Sequence, residues 1–309
     1  QEDNSVNFVF PNGQEARYVR RSNDYFIVYV SSHGGCDQAC RMCHLTQTKQ
    51  TEMVAATTEE MMHQVAVVFA HYASGLNTGK IEPVKKIHIN WMARGEPLLN
   101  ESLLTDWNEI TTRISYLAKD LAIKDLSFKI STIIPKFDAE FLLKKGFVTS
   151  GSYIAATLGA LCHNKFKPEL YYSMYSLNPE FRKRWLPKAA EVGGVLEDLS
   201  MGQWMAGMSG EGKFRLVLHW PYIEGENDSA EEATAIATFI KSCGLKAKFN
   251  LVRYNPYTEA QGRESSQEVL ERNFKIIESA MTEPGSRIVP RVGKDIFASC
   301  GQFIETKKE

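Results

Sequence analysis

Six times along this chain a short run rich in β-branched and aromatic residues is followed by a longer run with apolar residues at helical spacing. The strand-like runs are residues 26–32, 86–91, 126–131, 170–175, 214–220 and 248–253. The helical runs that follow them cover 57–73, 101–119, 137–145, 179–199, 229–243 and 265–281. Strands alternating with helices specify parallel βα units, because a parallel pair of strands needs a long crossover between its members. Six such units predict an α/β fold of the partial (β/α)6 TIM-like barrel type, not the full eight. Residues 287–291 read as a closing strand, and 7–21 as an N-terminal β-hairpin turning at Asn12-Gly13. A chain of 309 residues can bury one large core. The expected organisation is a hairpin extension over 1–24, the barrel over 25–303 and a charged tail over 304–309.

In a barrel of this kind, chemistry gathers where strands end and loops begin. Directly after the first strand-like run stand Cys36, Cys40 and Cys43, three thiols within eight residues. Spacings of three and then two residues require a loop to wrap one centre, and Gly34-Gly35 supplies the backbone freedom for it. Two centres suit three thiolates. A tetrahedral zinc would take a fourth ligand from His44, Cys162, Cys243 or Cys300, and the chain would then be a zinc-stabilised binding module. A 4Fe-4S cluster would keep one iron open. Six cysteines, three of them clustered, do not make a disulfide framework, and an exposed cluster would need a reducing setting.

Other candidates also follow strands. Gly95 and Glu96 come after the second, where Glu96 can accept from an ammonium group; Gly-Glu-Pro is equally a helix-entry device. Ser131 ends the third strand, Ser173 lies in the fourth and Asn255 follows the sixth, each offering a short hydroxyl or amide at the barrel mouth. Cys300, beside Gly301 in a loop after the last strand, is better placed to react than Cys162 or Cys243.

The charges nearly cancel, 36 Lys and Arg against 37 Asp and Glu, which excludes a strongly basic, non-specific nucleic-acid binder. Lys165, Lys167, Arg182, Lys183, Arg184 and Lys188 form one local basic run, read as a solvated face. No stretch of about 18 apolar residues and no leader is visible, so the expected setting is cytoplasmic, with no membrane partner.

Taken in series, these words resemble the RlmN/Cfr family of radical S-adenosylmethionine (SAM) RNA adenosine methyltransferases, over residues 8–303. The matching words are Val30-Ser31-Ser32 before Gly35-Cys36, Gly95-Glu96-Pro97-Leu98-Leu99-Asn100, Ser131-Thr132-Ile133-Ile134-Pro135, Leu186-Pro187, Asn227-Asp228-Ser229, Tyr254-Asn255-Pro256-Tyr257 and Ser299-Cys300-Gly301-Gln302. The resemblance implies a radical SAM barrel whose 4Fe-4S cluster is held by Cys36, Cys40 and Cys43. It implies SAM contacts at Gly95, Glu96, Ser131, Ser173 and Asn255. It further implies that one SAM methylates Cys300 and that a 5′-deoxyadenosyl radical from a second activates this methyl for addition to C2 or C8 of adenine. RNA or a nucleotide-like substrate, an electron donor such as flavodoxin or ferredoxin, and a monomeric state complete the expectation.

Some positions depart from that pattern. The family's second cysteine, seven residues before the first cluster cysteine, is here Tyr29, and its N-terminal carboxylate matches Glu15 only with a one-residue shift. Residues 147–168 look inserted, the family's Ser-Leu-His-Ala word reads Ser173-Met174-Tyr175-Ser176, and the helical domain that grips RNA has no counterpart ahead of the hairpin. A radical SAM enzyme acting on another nucleotide or a small molecule, without methyl transfer through cysteine, is the alternative reading.

Overall fold

A computed structural model describes residues 4–208, 214–290 and 302–303. Its strands are β1 (Asn4–Val9), β2 (Glu15–Arg20), β3 (Tyr25–Val30), β4 (Lys86–Trp91), β5 (Asp125–Thr132), β6 (Pro168–Tyr172), β7 (Arg215–Trp220), β8 (Lys248–Leu251) and β9 (Arg287–Ile288). They form one sheet in sequence order, antiparallel from β1 to β3 and parallel from β3 to β9. Between the parallel strands run α1 (His44–Gln47) and α2 (Thr58–Asn77), α3 (Glu101–Thr105) and α4 (Trp107–Asp120), and α5 (Ala139–Lys144) and α6 (Ser150–Leu161). Then come α7 (Pro179–Trp185) and α8 (Val192–Met208), α9 (Ala230–Ser242), and α10 (Gln267–Glu278). This is the predicted α/β partial barrel, with the hairpin joined edge-on to β3; among the described residues β1 and β9 do not pair, so the barrel stays open.

Alternation along each strand sets two faces. Ile87, Ile89 and Trp91 of β4 and Phe128 and Ile130 of β5 point out and are almost fully buried under the helices. Asn90 and Lys129, which stand side by side with Tyr29 across β3, β4 and β5, point into the barrel. Trp91, Trp107 and Phe128 pack ring against ring, with centroids 5.3, 6.4 and 6.0 Å apart, and lock α4 onto the sheet.

Several boundaries differ from the sequence reading. The helix expected over 101–119 breaks at Asp106, which receives the Thr58 hydroxyl at 2.6 Å and starts α4 instead of continuing α3. The run 179–199, read as helical at least in part, is two helices, parted by Leu186-Pro187, because proline denies the backbone a donor there. β6 ends at Tyr172, so Ser173 follows the strand and donates its N–H to Thr132 O at 2.8 Å. Residues 147–168 supply α6, which packs on α8. The basic run does not gather into one face: Arg182 is buried and donates to Met174 O and Ala190 O, Arg184 pairs with Glu226, and Lys188 pairs with Asp37 at 2.7 Å.

Candidate active site

The three cysteines lie on a loop that leaves β3 and ends at α1. Glycine is needed twice at its start: a side chain at Gly34 would meet Asn12 O at 2.6 Å, and one at Gly35 would meet Gln50 O at 2.6 Å and Glu52 O at 2.7 Å. Ala39 then turns the chain with φ 55°, and Cys43 N–H donates to Cys40 O at 3.0 Å, closing the turn that brings the thiols to one side. From outside, Arg41 N–H donates to Trp185 O at 2.9 Å and its guanidinium lies 5.1 Å from the Trp185 ring. The Lys188–Asp37 pair adds a second tie. Burial pushes the Cys36 and Cys40 thiols well up, and the neighbouring thiols and Glu96 push them further. Such thiols are neutral until a cation shares the site, and binding it releases their protons.

The second strip of the site follows β4. Gly95 has φ 96°, and a side chain there would strike His33 Nδ1 at 2.4 Å and Ser32 Oγ at 2.6 Å. Close packing of the protein on itself, beside any ligand approach, therefore requires glycine. Glu96 caps the short turn Pro97–Leu99, its Oε1 accepting from Leu98 N–H at 3.2 Å, while its Oε2 accepts from Ile133 N–H at 3.2 Å. The helix-entry role is thus real, yet two carboxylate oxygens have about four acceptor positions and retain capacity for a ligand. Desolvation pushes Glu96 up to about 7, opposed by its bonds to Thr132, Leu98 and Ile133. Asn100 ends this motif by donating to Ser32 O at 2.7 Å and Ala56 O at 2.9 Å, which ties it to the strand carrying the cysteine loop.

Glu15 does not face this strip directly. Its carboxylate, fully buried, binds Arg17 Nε at 2.7 Å and Arg94 Nε at 3.3 Å. Arg17 in turn donates to Gln302 O, and the Arg17 and Arg94 guanidiniums lie 4.9 and 5.8 Å from the Phe303 ring. The hairpin carboxylate thereby anchors the segment Gln302-Phe303 through two arginines.

One cavity of about 140 Å³ collects the result: Cys36, Cys40, Cys43, Gly95, Glu96, Ser131 and Ser173 share its wall. Asn255 lies in the wall of an adjoining cavity inside the barrel, with its Nδ2 donating to Arg253 O at 3.2 Å. Cys300 lies outside the described residues, as does the expected tail; Phe303 is in the cavity wall. The sequence reading missed Phe303, Met92 and His219. His219, a lone polar residue inside the apolar run 216–220, was a signal the sequence held, and nothing local marked Met92 or Phe303.

Among the described residues no group of three His, Cys, Asp or Glu side chains is drawn together around one ion, and Cys300, a candidate fourth zinc ligand, lies outside those residues. Three thiols in one cavity wall could hold a 4Fe-4S cluster, and Glu96, Ser131 and Ser173 in the same wall offer an acceptor and hydroxyls for an amino acid headgroup. A parallel partial barrel with a three-thiol loop at the end of its first parallel strand is the arrangement that the resemblance to radical SAM enzymes implies.

Comparison with known proteins agrees. No family model matches the chain. It is similar to three proteins named dual-specificity RNA methyltransferase RlmN. That of Ruthia magnifica is 25% identical over 276 residues, 89% of this chain and 66% of the relative. That of Wolinella succinogenes is 25% identical over 296 residues, 94% and 70%, and that of Granulibacter bethesdensis is 27% identical over 307 residues, 98% and 69%. The chain thus spans about two thirds of the length of these relatives. A radical SAM methyltransferase structure from Sphaerobacter thermophilus shares the fold, with TM-score 0.68 and 22% identity over 97% of this chain and 77% of that one. Over about nine tenths of its length or more, the chain is thus similar to proteins named as RlmN RNA methyltransferases, and it shares the fold of a radical SAM methyltransferase.

Proposed function

We propose that the chain transfers a methyl-derived carbon through Cys300 to an sp2 carbon, with adenosine in RNA as the default acceptor. The carrying observation is that Cys36, Cys40 and Cys43 share one cavity with Glu96, Ser131, Ser173 and Phe303, while Cys300 stands three residues before Phe303 in the sequence. When bound, a reduced 4Fe-4S cluster with SAM supplies the electron transfer and the hydrogen abstraction that this carbon requires. Cys36, Cys40 and Cys43 hold the cluster, and Glu96, Ser131 and Ser173 orient SAM by its amino and hydroxyl groups. Asn255 contacts SAM from the barrel side. Glu15 acts as a positioning residue: through Arg17 and Arg94 it sets Gln302-Phe303, and so the approach of the segment bearing Cys300. A small electron carrier such as flavodoxin or ferredoxin reduces the cluster in a reducing cytoplasm. Among the described residues no helix is long and apolar enough to cross a membrane.

The test is peptide mass spectrometry on anaerobically prepared protein with about four irons per chain. The Cys300 peptide should carry one added methylene mass. An unmodified Cys300 in cluster-replete, SAM-supplied protein would sink the carrier role and leave SAM cleavage with a different outcome. Glu15→Gln should lower Cys300 methylation while iron content stays unchanged; full methylation in that variant would remove Glu15 from the proposal.

A further inference from the structure

Adjoining the cluster cavity, the strands enclose a second one of about 70 Å³, and Met92 and His219 stand in the walls of both. Its volume equals roughly five water-sized spaces, enough for one compact polar group. Barrel interiors are ordinarily filled by branched apolar side chains. Asn90, Lys129, Tyr171, His219, Asn250 and Arg287 line this one instead.

Four of these groups are deeply buried: Asn90 is 4%, Lys129 8%, His219 6% and Asn250 3% exposed. Even so, Asn90 Oδ1, Asn250 Oδ1 and His219 Nδ1 have no hydrogen-bond partner among the described residues. Buried polar atoms are almost always paired, so three orphans on residues that line one cavity mark a place for a ligand. Lys129 has its ammonium 5.4 Å from the Tyr171 ring but no ion pair among the described residues, because Glu169, its neighbour across β6, pairs with Arg215 at 3.6 Å and Asp125 pairs with Lys86 at 3.2 Å. Burial holds Lys129 down to about 8, with Glu169 raising it and Lys248, Arg287 and Lys86 lowering it, so its ammonium form still prevails at neutral pH. His219, held down to about 4 by burial and by Arg21, is neutral.

We propose that this cavity seats a terminal oxyanion of a small acceptor, a phosphate monoester or a carboxylate, against Lys129 and Arg287 with hydrogen bonds from Asn90 and Asn250. Either amide can turn its NH2 group toward an anion, and a cationic wall with neutral donors is the chemistry that selects one. The inference rests on the neighbouring cavity being the reaction site, and it narrows the acceptor. A phosphodiester inside an RNA chain must leave in two directions, whereas a cavity of this size takes a group that ends there.

The test is calorimetric titration of the anaerobically reconstituted chain with orthophosphate, acetate, adenosine and adenosine 5′-monophosphate. Orthophosphate or acetate should bind, the tighter of the two identifying which oxyanion the site takes. Lys129→Met should weaken that binding on the order of tenfold or more while melting no lower than the wild type, because it removes an unpaired buried charge. Asn250→Asp, which adds a repelling carboxylate, gives a second readout with the same expected loss. If phosphate is the tighter ion, the monophosphate should bind better than adenosine, and Lys129→Met should erase that difference. Binding of neither anion, or equal binding by the wild type and both variants, overturns the proposal; so does a monophosphate no tighter than adenosine where phosphate is preferred. The same titrations on Cys300→Ala separate the two readings, since anion binding can persist in a protein whose Cys300 is never methylated.

Discussion

The two faces of the same strands have opposite chemistry. Outward, Ile87, Ile89, Trp91, Phe128, Ile130, Leu218, Trp220, Phe249 and Leu251 are at most about 1% exposed and form one continuous apolar core with the helices. Inward, one residue away each time, stand His88, Asn90, Lys129, His219 and Asn250. A barrel that needed its interior for stability would fill it with apolar bulk. The contrast teaches that the helix-covered face carries the folding energy, while the interior and the rim are kept for ligands at some cost in stability.

The most severe way to sharpen that contrast is at the rim. Cys40→Ala should abolish iron retention and SAM cleavage altogether, while the melting temperature of the metal-free protein changes little. Iron analysis and assay of 5′-deoxyadenosine check both halves. The converse substitution lies on the outer face. Trp91→Ala should destabilise the fold by about 3–5 kcal/mol, read by denaturant titration, because it removes the ring that joins Trp107 to Phe128 and leaves a cavity the helices cannot close. If Trp91→Ala left stability untouched, or Cys40→Ala unfolded the metal-free chain, the division of labour between the faces would be wrong.

Acid should expose the cost carried inside. Desolvation holds His33 down to about 4, His88 to about 3 and His219 to about 4, with Lys129 adding to the depression of His88 and Arg21 to that of His219. Their unfolded counterparts titrate near 6.5. Between those values the unfolded chain binds more protons than the folded one, so stability falls as pH drops from about 6.5 toward 4 and is complete above that window. Each site loses on the order of 3 kcal/mol across the window, and the three together on the order of 10 kcal/mol, an upper bound because water can enter the partly buried sites. His219→Asn should flatten part of the slope in a pH series of melts; an unchanged slope would mean that the interior is wetter than its burial implies.

These contrasts also mark how far the sequence alone reaches. β4 is legible to the residue because Lys86-Ile87-His88-Ile89-Asn90-Trp91 alternates without a break, and the three cysteines stand out because their chemistry is local. The parallel order follows from alternation of strand and helix over whole units. Illegible are features that need distant segments to meet. Glu15 acquires its second arginine, Arg94, from the loop after β4, and Phe303 reaches the cavity from the far end of the chain. Gly95 illustrates a subtler gap: the need for glycine is visible in the motif, but its reason, contact with Ser32 and His33, exists only once β3 and β4 are side by side. Asp106 breaks a helix that its neighbours favour, because Thr58 from α2 bonds its side chain.

The gentlest probe compares two helix-capping residues, one on the outer layer and one at the rim. Thr57 caps α2 by accepting from Glu60 N–H at 3.2 Å while Glu60 Oε2 receives Thr57 N–H at 2.8 Å, at an exposed helix start. Thr57→Ala should cost about 1 kcal/mol and leave iron content and SAM cleavage unchanged. Asn100 also caps a helix, accepting from Leu103 N–H at 2.8 Å, but its amide holds Ser32 O and Ala56 O on either side of the cysteine loop. Asn100→Ala should therefore cost a comparable or somewhat larger amount, about 1–3 kcal/mol, and lower cluster retention as well, since it leaves two buried carbonyls unpaired beside the loop. Melting curves set against iron content decide the matter. If both variants lose stability and only Asn100→Ala loses iron, the rim is held by bonds that the outer layer does not share; if both keep their iron, the cysteine loop stands on its own turn and on Trp185 alone.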